Sequence, residues 1–114
     1  AAYLYNTYSA IGSVADGYSG GVYTEKETTD ILDNQKQMCG NLIKMLQGLV
    51  DDKVLNDQRD VDFMKNTITI IKGLKNQAQY YEDYMANKND ERKTKYDDQR
   101  KENWNGISKV LGLE

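Results

Sequence analysis

The sequence predicts an all-α fold, an antiparallel up-down-up-down four-helix bundle. The 114 residues include no proline, although average usage would place about five or six in a chain of this length. Proline breaks helix interiors, so its absence favours long helices. Apolar side chains also recur at alternating steps of three and four residues, which is the spacing of one helical face. Short connections favour antiparallel neighbours, and this length suits a single domain over residues 1–114.

The first two helices are predicted over residues 3–18 and 25–51. Ser19-Gly20-Gly21 ends the first, because glycine accepts the left-handed conformation of many helix ends. Thr24 and Glu27 have the spacing of a capping box, which begins the second. The apolar stripe of the first helix is Leu4, Tyr8, Ile11, Ala15, Tyr18 and Val22. The stripe of the second is Ile31, Met38, Leu42, Met45 and Leu49, widened by Leu32, Leu46 and Val50.

The third and fourth helices are predicted over 57–86 and 90–112. Asn56 or Asp57 caps the third, and the turn-forming residues 87–90 separate the two. Without that break the third and fourth helices would form one continuous helix, and its C-terminal apolar stripe would stay unburied in a monomer. The stripe of the third helix is Val61, Met64, Ile68, Ile71, Leu74, Ala78, Tyr81 and Met85, and that of the fourth is Tyr96, Trp104, Ile107 and Leu111. A three-helix bundle with an appended N-terminal segment is the alternative fold.

Composition limits the classes of partner. The 15 basic and 18 acidic side chains give a net charge of −3, which does not favour nucleic-acid binding. The longest apolar runs are a few residues, so no transmembrane segment is predicted. The single cysteine, Cys39, fits a reducing compartment without excluding the periplasm. The sequence leaves the location open between the cytoplasm and, with a signal removed, the periplasm or cell envelope.

The absence of histidine removes most zinc sites, histidine-ligated haem and any serine–histidine or cysteine–histidine pair. No catalytic residue, cofactor or metal site is predicted. Acidic doublets such as Asp51-Asp52 point about 100° apart on a helix and are interpreted as solvated surface. Cys39 is interpreted as a small buried hydrophobe, because no basic cluster in its sequence neighbourhood would lower its pKa.

Tyrosine is the one residue type whose distribution suggests a function. Nine tyrosines occur against one phenylalanine, and they lie only within residues 3–23 and 80–96. In an up-down-up-down bundle these two stretches meet at one end, and tyrosine suits interfaces because it combines a large apolar body with a polar tip. The candidate partner-binding residues are Tyr18, Tyr23, Tyr80, Tyr84 and Tyr96. The competing interpretation is that the tyrosines only cover the core where it meets water.

The sequence therefore predicts a non-enzymatic helical-bundle interaction module, an adaptor, chaperone-like or cell-envelope-associated protein that binds a protein or peptide. The alternative is a small-molecule or lipid binder with a cavity between helices, where Gly40, Gly48 and Gly73 leave room. The coiled-coil spacing is also compatible with a homo-oligomer. A hydrolase or transferase would need a deep cleft with two converging carboxylates.

Overall fold

The computed structural model describes residues 2–112, which form four α-helices. These are α1 (Ala2–Ser19), α2 (Glu25–Asp51), α3 (Gln58–Ala86) and α4 (Asp90–Leu111), and this part of the chain contains no strand. α3 packs against the other three helices, with α2 and α4 as its two main neighbours. α1 contacts all three, so it belongs to the bundle and the three-helix alternative is wrong. The predicted four-helix bundle is confirmed.

Contacts across the helices establish that neighbours along the chain are antiparallel. Between α2 and α3, Lys36 reaches Glu82, whereas Gly40, one turn later on α2, lies beside Lys75, two turns earlier on α3. Between α3 and α4, Asn103 Nδ2 donates to Gly73 O at 2.9 Å, whereas Arg92 Nη1 donates to Asp83 O at 2.7 Å. The α1–α2 and α3–α4 connections consequently lie at the same end of the bundle.

Local capping contacts fix where the helices begin. The Thr24 hydroxyl accepts from Glu27 N at 3.1 Å, and the Glu27 carboxylate accepts from Thr24 N at 3.0 Å, which confirms the predicted capping box. Asp57 is the cap of α3, and Asn89 caps α4 by accepting from Arg92 N at 2.8 Å. The predicted break at residues 87–90 is therefore confirmed, and the predicted helix limits agree with the observed ones to within one residue.

Side chains from all four helices form one hydrophobic core, and α3 supplies the most. The predicted stripe of α3 is buried from Ile68 to Met85, whereas Val61 and Met64 are half-buried near the α2–α3 connection. The fully or almost fully buried apolar residues are Leu4, Ile11, Val14, Ala15, Leu32, Cys39, Ile68, Ile70, Ile71, Leu74, Ala78, Tyr81, Met85, Tyr96 and Ile107.

The predicted stripes of α1 and α2 are partly wrong. Val22 is 72% exposed, because α1 ends at Ser19 and Val22 lies in the connection. On α2, Met38 and Met45 are 44% and 59% exposed, and Ile31 is also exposed. The buried face of α2 is instead formed by Thr28, Leu32 and Cys39. α2 packs against α3 and α1 only, so its apolar residues cover a wider arc than these neighbours bury.

The predicted stripe of α4 also differs from the observed one. Tyr96 and Ile107 are buried, but Trp104 is 36% exposed. Its ring lies on the outside of α1, with its centroid 5.6 Å from the ring centroid of Tyr8. The buried position beside Trp104 is taken by the polar residue Asn103, because that side chain bonds directly to α3. α4 therefore packs through a face that apolar periodicity did not reveal.

Candidate functional site

The two tyrosine-rich stretches meet at one end of the bundle, as the sequence predicts. Tyr81 lies at the centre: its ring centroid is 6.1 Å from that of Tyr18, 5.6 Å from that of Tyr84 and 4.8 Å from that of Tyr96. The Tyr23 ring lies directly against Gly17, in the space that a side chain there would occupy. We call the region formed by these residues and Tyr80 the tyrosine end.

Two tyrosines of this region belong to the core. Tyr81 is 1% exposed, and its hydroxyl donates to Ala15 O at 3.0 Å and lies 2.8 Å from Ser19 Oγ. Tyr96 is also 1% exposed, and burial raises its pKa to about 12. The prediction that Tyr96 contacts a partner is therefore wrong for this conformation, because its ring packs edge-on against Tyr81 inside the bundle.

The other four candidate residues reach the surface. Tyr23 is 37% exposed, and Tyr18, Tyr80 and Tyr84 are half-buried. Two of these rings carry an ammonium group on one face: Lys88 Nζ lies 4.9 Å from the Tyr18 centroid, and Lys95 Nζ lies 4.6 Å from the Tyr80 centroid. Such cation–π contacts are attractive by about 0.5–1 kcal/mol at exposed sites, and they help to hold the rings in place. The surface thus alternates aromatic rings with positive charges.

A polar cleft of about 480 Å³ adjoins this surface, between the end of α3 and the start of α4. Arg92 shapes it by bonding to both sides of the turn, through its amide to Asn89 Oδ1 and through its guanidinium to Asp83 O. The residues that line the cleft are Tyr80, Asp83, Asn87, Asn89, Glu91, Arg92 and Lys95. Amides, carboxylates, cations and a phenol ring therefore face one space, which offers both hydrogen-bond donors and acceptors.

Sequence reasoning found Tyr80 but missed the cleft. Residues 87–90 were recognised only as a helix break. The available signal was the pairing of two turn-forming asparagines, Asn87 and Asn89, with a cation three residues after the second. That pattern indicates a capped helix start, but it does not indicate that Arg92 folds back onto Asp83 O. The cleft depends on this long-range side-chain contact.

Two carboxylates converge elsewhere, on Lys36 at the contact between α2 and α3. Lys36 Nζ lies 2.6 Å from Glu82 Oε2 and 3.1 Å from Asp33 Oδ1. Burial raises the pKa of Glu82, whereas hydrogen bonding with Glu82 and then with Lys36 lowers the pKa of Asp33. Neither carboxylate lines the cleft at the tyrosine end. This group joins α2 to α3 at the edge of the core.

Cys39 and Gly73 have structural surroundings. Cys39 is fully buried, its sulfur accepts a hydrogen bond from Tyr3 Oη at 3.8 Å, and burial raises its pKa. The interpretation of Cys39 as a buried hydrophobe is thus confirmed. The space above Gly73 is occupied by the side chain of Asn103. Gly73 consequently leaves no room for a ligand.

Within residues 2–112, no three aspartate, glutamate or cysteine side chains lie in an arrangement that could hold a metal ion. Among the helices of the same segment, none combines the length and the apolarity that crossing a bilayer requires. No protein-family model, curated protein or solved structure matches the chain.

Proposed function

We propose that the protein is a non-enzymatic helical-bundle interaction module that binds a protein or peptide partner at the tyrosine end. The observation that carries the proposal is the juxtaposition of surface tyrosines with the cleft at the α3–α4 turn. Tyr80 belongs to both, since it lines the cleft and lies one turn before Tyr84 on α3. An adaptor, a chaperone-like protein and a cell-envelope protein would each use such a surface.

The side chains of this surface are held before a partner arrives. Tyr84 packs on Tyr81, and Lys88 and Lys95 lie over Tyr18 and Tyr80. Ordering a free side chain on binding costs about 0.5–1.5 kcal/mol, so rings that are already placed lose less entropy. Tyrosine is also among the residues that contribute most to binding at protein interfaces.

The cleft supplies polar partners beside these rings. Asn87 and Asn89 can both donate and accept, which matches the alternating amide and carbonyl groups of an extended peptide. In this arrangement the peptide main chain lies in the cleft, and one of its apolar side chains lies on Tyr80 and Tyr84. Carboxylates and cations both line the cleft, so specificity comes from the order of charges in the peptide and not from its net charge.

The test uses a displayed random-peptide library selected against the intact chain. Tyr80→Ala combined with Tyr84→Ala is expected to lower the affinity for the selected peptides by about tenfold or more. The reason is that truncating an aromatic anchor typically costs more than about 1 kcal/mol of binding free energy. Helical content, followed by circular dichroism, should stay unchanged. The matched control is Tyr5→Ala, an exposed tyrosine near the opposite end of α1, which should bind as the unmodified protein does.

Two results would contradict the proposal. One is a selection that yields no peptide with saturable binding. The other is a set of peptides that bind the double variant and the unmodified protein equally well. Because Tyr84 also packs on Tyr81, the single variant Lys95→Ala is measured as well: it removes a cleft side chain that is exposed, so a loss of binding there does not reflect a change in the core.

A further inference from the structure

A second cleft lies on the surface between α2 and α3, and it shares no residue with the cleft at the tyrosine end. Its volume is about 420 Å³, which is within the range of small-molecule sites. The residues that line it are Gly40, Ile43, Lys44, Lys72, Lys75 and Asn76. We call it the lysine cleft.

The charges around the lysine cleft are all positive. Lys44 comes from α2, and Lys72 and Lys75 come from α3. Across residues 2–112 none of the three takes part in an ion pair, whereas Lys26, Lys36 and Lys93 each pair with a carboxylate.

No aspartate or glutamate lines this cleft, although the whole chain carries a net charge of −3. Three like charges that converge from two helices repel one another, and an anion between them would remove that repulsion.

The floor of the lysine cleft is apolar and is left open by a glycine. Ile43 and the aliphatic stems of the lysines form most of its surface. A Cβ atom at Gly40 would meet only Lys75 Nζ, at 3.5 Å, so the neighbouring helix would tolerate a side chain at this position. Gly40 therefore does not serve a close approach of the neighbouring helix. Instead, Gly40 leaves space at the surface.

We propose that the lysine cleft binds an aliphatic carboxylate. The carboxylate lies among the ammonium groups of Lys44, Lys72 and Lys75, and the hydrocarbon lies over Gly40 and Ile43. Positive charges at the rim and an apolar floor recognise the two halves of such a molecule separately. An inorganic anion would interact only with the ammonium groups at the rim. A neutral alcohol would gain only the burial of its hydrocarbon on the apolar floor. This site is independent of partner binding at the tyrosine end.

Three probes separate these contributions. Sodium octanoate carries both the charge and the hydrocarbon, sodium acetate carries the charge alone, and octanol carries the hydrocarbon alone. Each is titrated into the intact chain and followed by chemical-shift changes of the backbone amides around Gly40 and Lys75. Octanoate should bind saturably, about tenfold or more tightly than either other probe. Its affinity should fall as salt is added, because the three ammonium groups are exposed.

Two glycine variants test whether the binding occurs in the cleft. Gly40→Leu fills the floor and should abolish saturable octanoate binding. Gly48→Leu is the matched control: it adds the same side chain to the same helix, where a Cβ would meet nothing within 4 Å, and it should leave the affinity unchanged. Both variants replace a helical glycine, so both should be at least as helical as the unmodified chain.

A charge variant completes the test. Lys72→Gln with Lys75→Gln should lower the affinity for octanoate about tenfold. The control is Lys101→Gln with Lys109→Gln, which changes two exposed lysines on α4 and should leave that affinity unchanged. The proposal is overturned if octanoate fails to saturate, if octanol binds equally well, or if Gly40→Leu retains the site. None of these outcomes depends on peptide binding at the tyrosine end.

Discussion

α2 and α4 both pack against α3, but they bury different kinds of side chain. α2 places Leu32 and Cys39 in the core and still leaves Met38 and Met45 on the surface. α4 is the most polar of the four helices, and it buries Asn103 while Trp104 remains partly exposed. α2 therefore has more apolar residues than it buries and α4 has few, yet both helices pack closely against α3.

The contact between α4 and α3 combines the packing of Tyr96 on Tyr81 with a hydrogen-bonded group. Asn103 Nδ2 donates to Gly73 O at 2.9 Å and to Gln77 Oε1 at 2.8 Å, and Gln99 Nε2 donates to Asn103 Oδ1 at 2.9 Å. Because Gly73 has no side chain, Asn103 can reach the backbone of α3. Buried polar groups stabilise a fold only when they are paired, and Asn103 uses both ends of its amide.

The contact between α2 and α3 uses polar residues only at its edge. Lys36 Nζ donates to Gln79 Oε1 at 2.9 Å and lies between the carboxylates of Asp33 and Glu82. These groups surround an apolar centre that includes Leu32. The comparison teaches that α2 is held mainly by burial of apolar surface, whereas the packing of α4 also depends on a few specific polar contacts. A small substitution that displaces one of these polar contacts should therefore have a large effect on stability.

The largest expected effect is that of Gly73→Ala. A methyl group at this position would overlap the Asn103 amide, and Asn103 cannot move without losing buried hydrogen bonds. We expect a loss of about 2 kcal/mol in the free energy of unfolding, measured by urea denaturation.

The matched control for this prediction is Gly48→Ala on α2, where a methyl group meets nothing within 4 Å. There the change should stabilise the protein by up to about 1 kcal/mol, since alanine favours helix over glycine. Equal effects of the two substitutions would contradict the contrast between the α2 and α4 contacts.

A smaller effect of opposite sign is expected for Tyr96→Phe. Tyr96 Oη is buried and has no hydrogen-bond partner among residues 2–112. The ring packs against Tyr81 and would keep that contact as phenylalanine. Removing an unpaired buried hydroxyl should raise the free energy of unfolding by about 1 kcal/mol at neutral pH. Tyr81→Phe is the comparison, because the Tyr81 hydroxyl is bonded to Ala15 O and its removal should destabilise the protein.

The same substitution changes the response to alkali. The phenol of Tyr96 ionises near its usual pKa of 10.0 when the chain is unfolded and at about 12 when it is folded. Between these values the unfolded chain has lost the proton that the folded chain retains, so stability falls as pH rises. Urea denaturation over this pH range should show a shallower decline for Tyr96→Phe. Parallel curves for the two proteins would show that Tyr96 does not contribute to alkaline unfolding.

Helix limits and topology could be predicted from the sequence because their causes are local. Thr24 with Glu27, Asp57 and Asn89 each cap a helix through residues two or three positions away. The meeting of two distant tyrosine stretches followed from the alternation of helix direction. None of these inferences required knowing how a helix is rotated about its own axis, which decides the face that it buries.

The buried face of each helix could not be predicted in the same way. On α2 the residues Ile31, Met38 and Met45 have a regular heptad spacing, yet the core side lies at Leu32 and Cys39. Apolar residues on both faces make periodicity ambiguous, and the positions of neighbouring helices decide between them. On α4, Asn103 is buried through a glycine 30 residues earlier in the chain. The polar cleft depends on a similar long-range contact.

The smallest expected effect is on the exposed face of α2. Met38→Gln with Met45→Gln should change the free energy of unfolding by less than about 0.5 kcal/mol, because both side chains are largely in water already. Leu32→Met on the same helix, where the side chain is fully buried, should cost more, up to about 1.5 kcal/mol. Light scattering at two protein concentrations completes the measurement. The heptad spacing is compatible with self-association through this face. If the face is the self-contact, the double variant should have the lower mass at high concentration, and equal masses would exclude it.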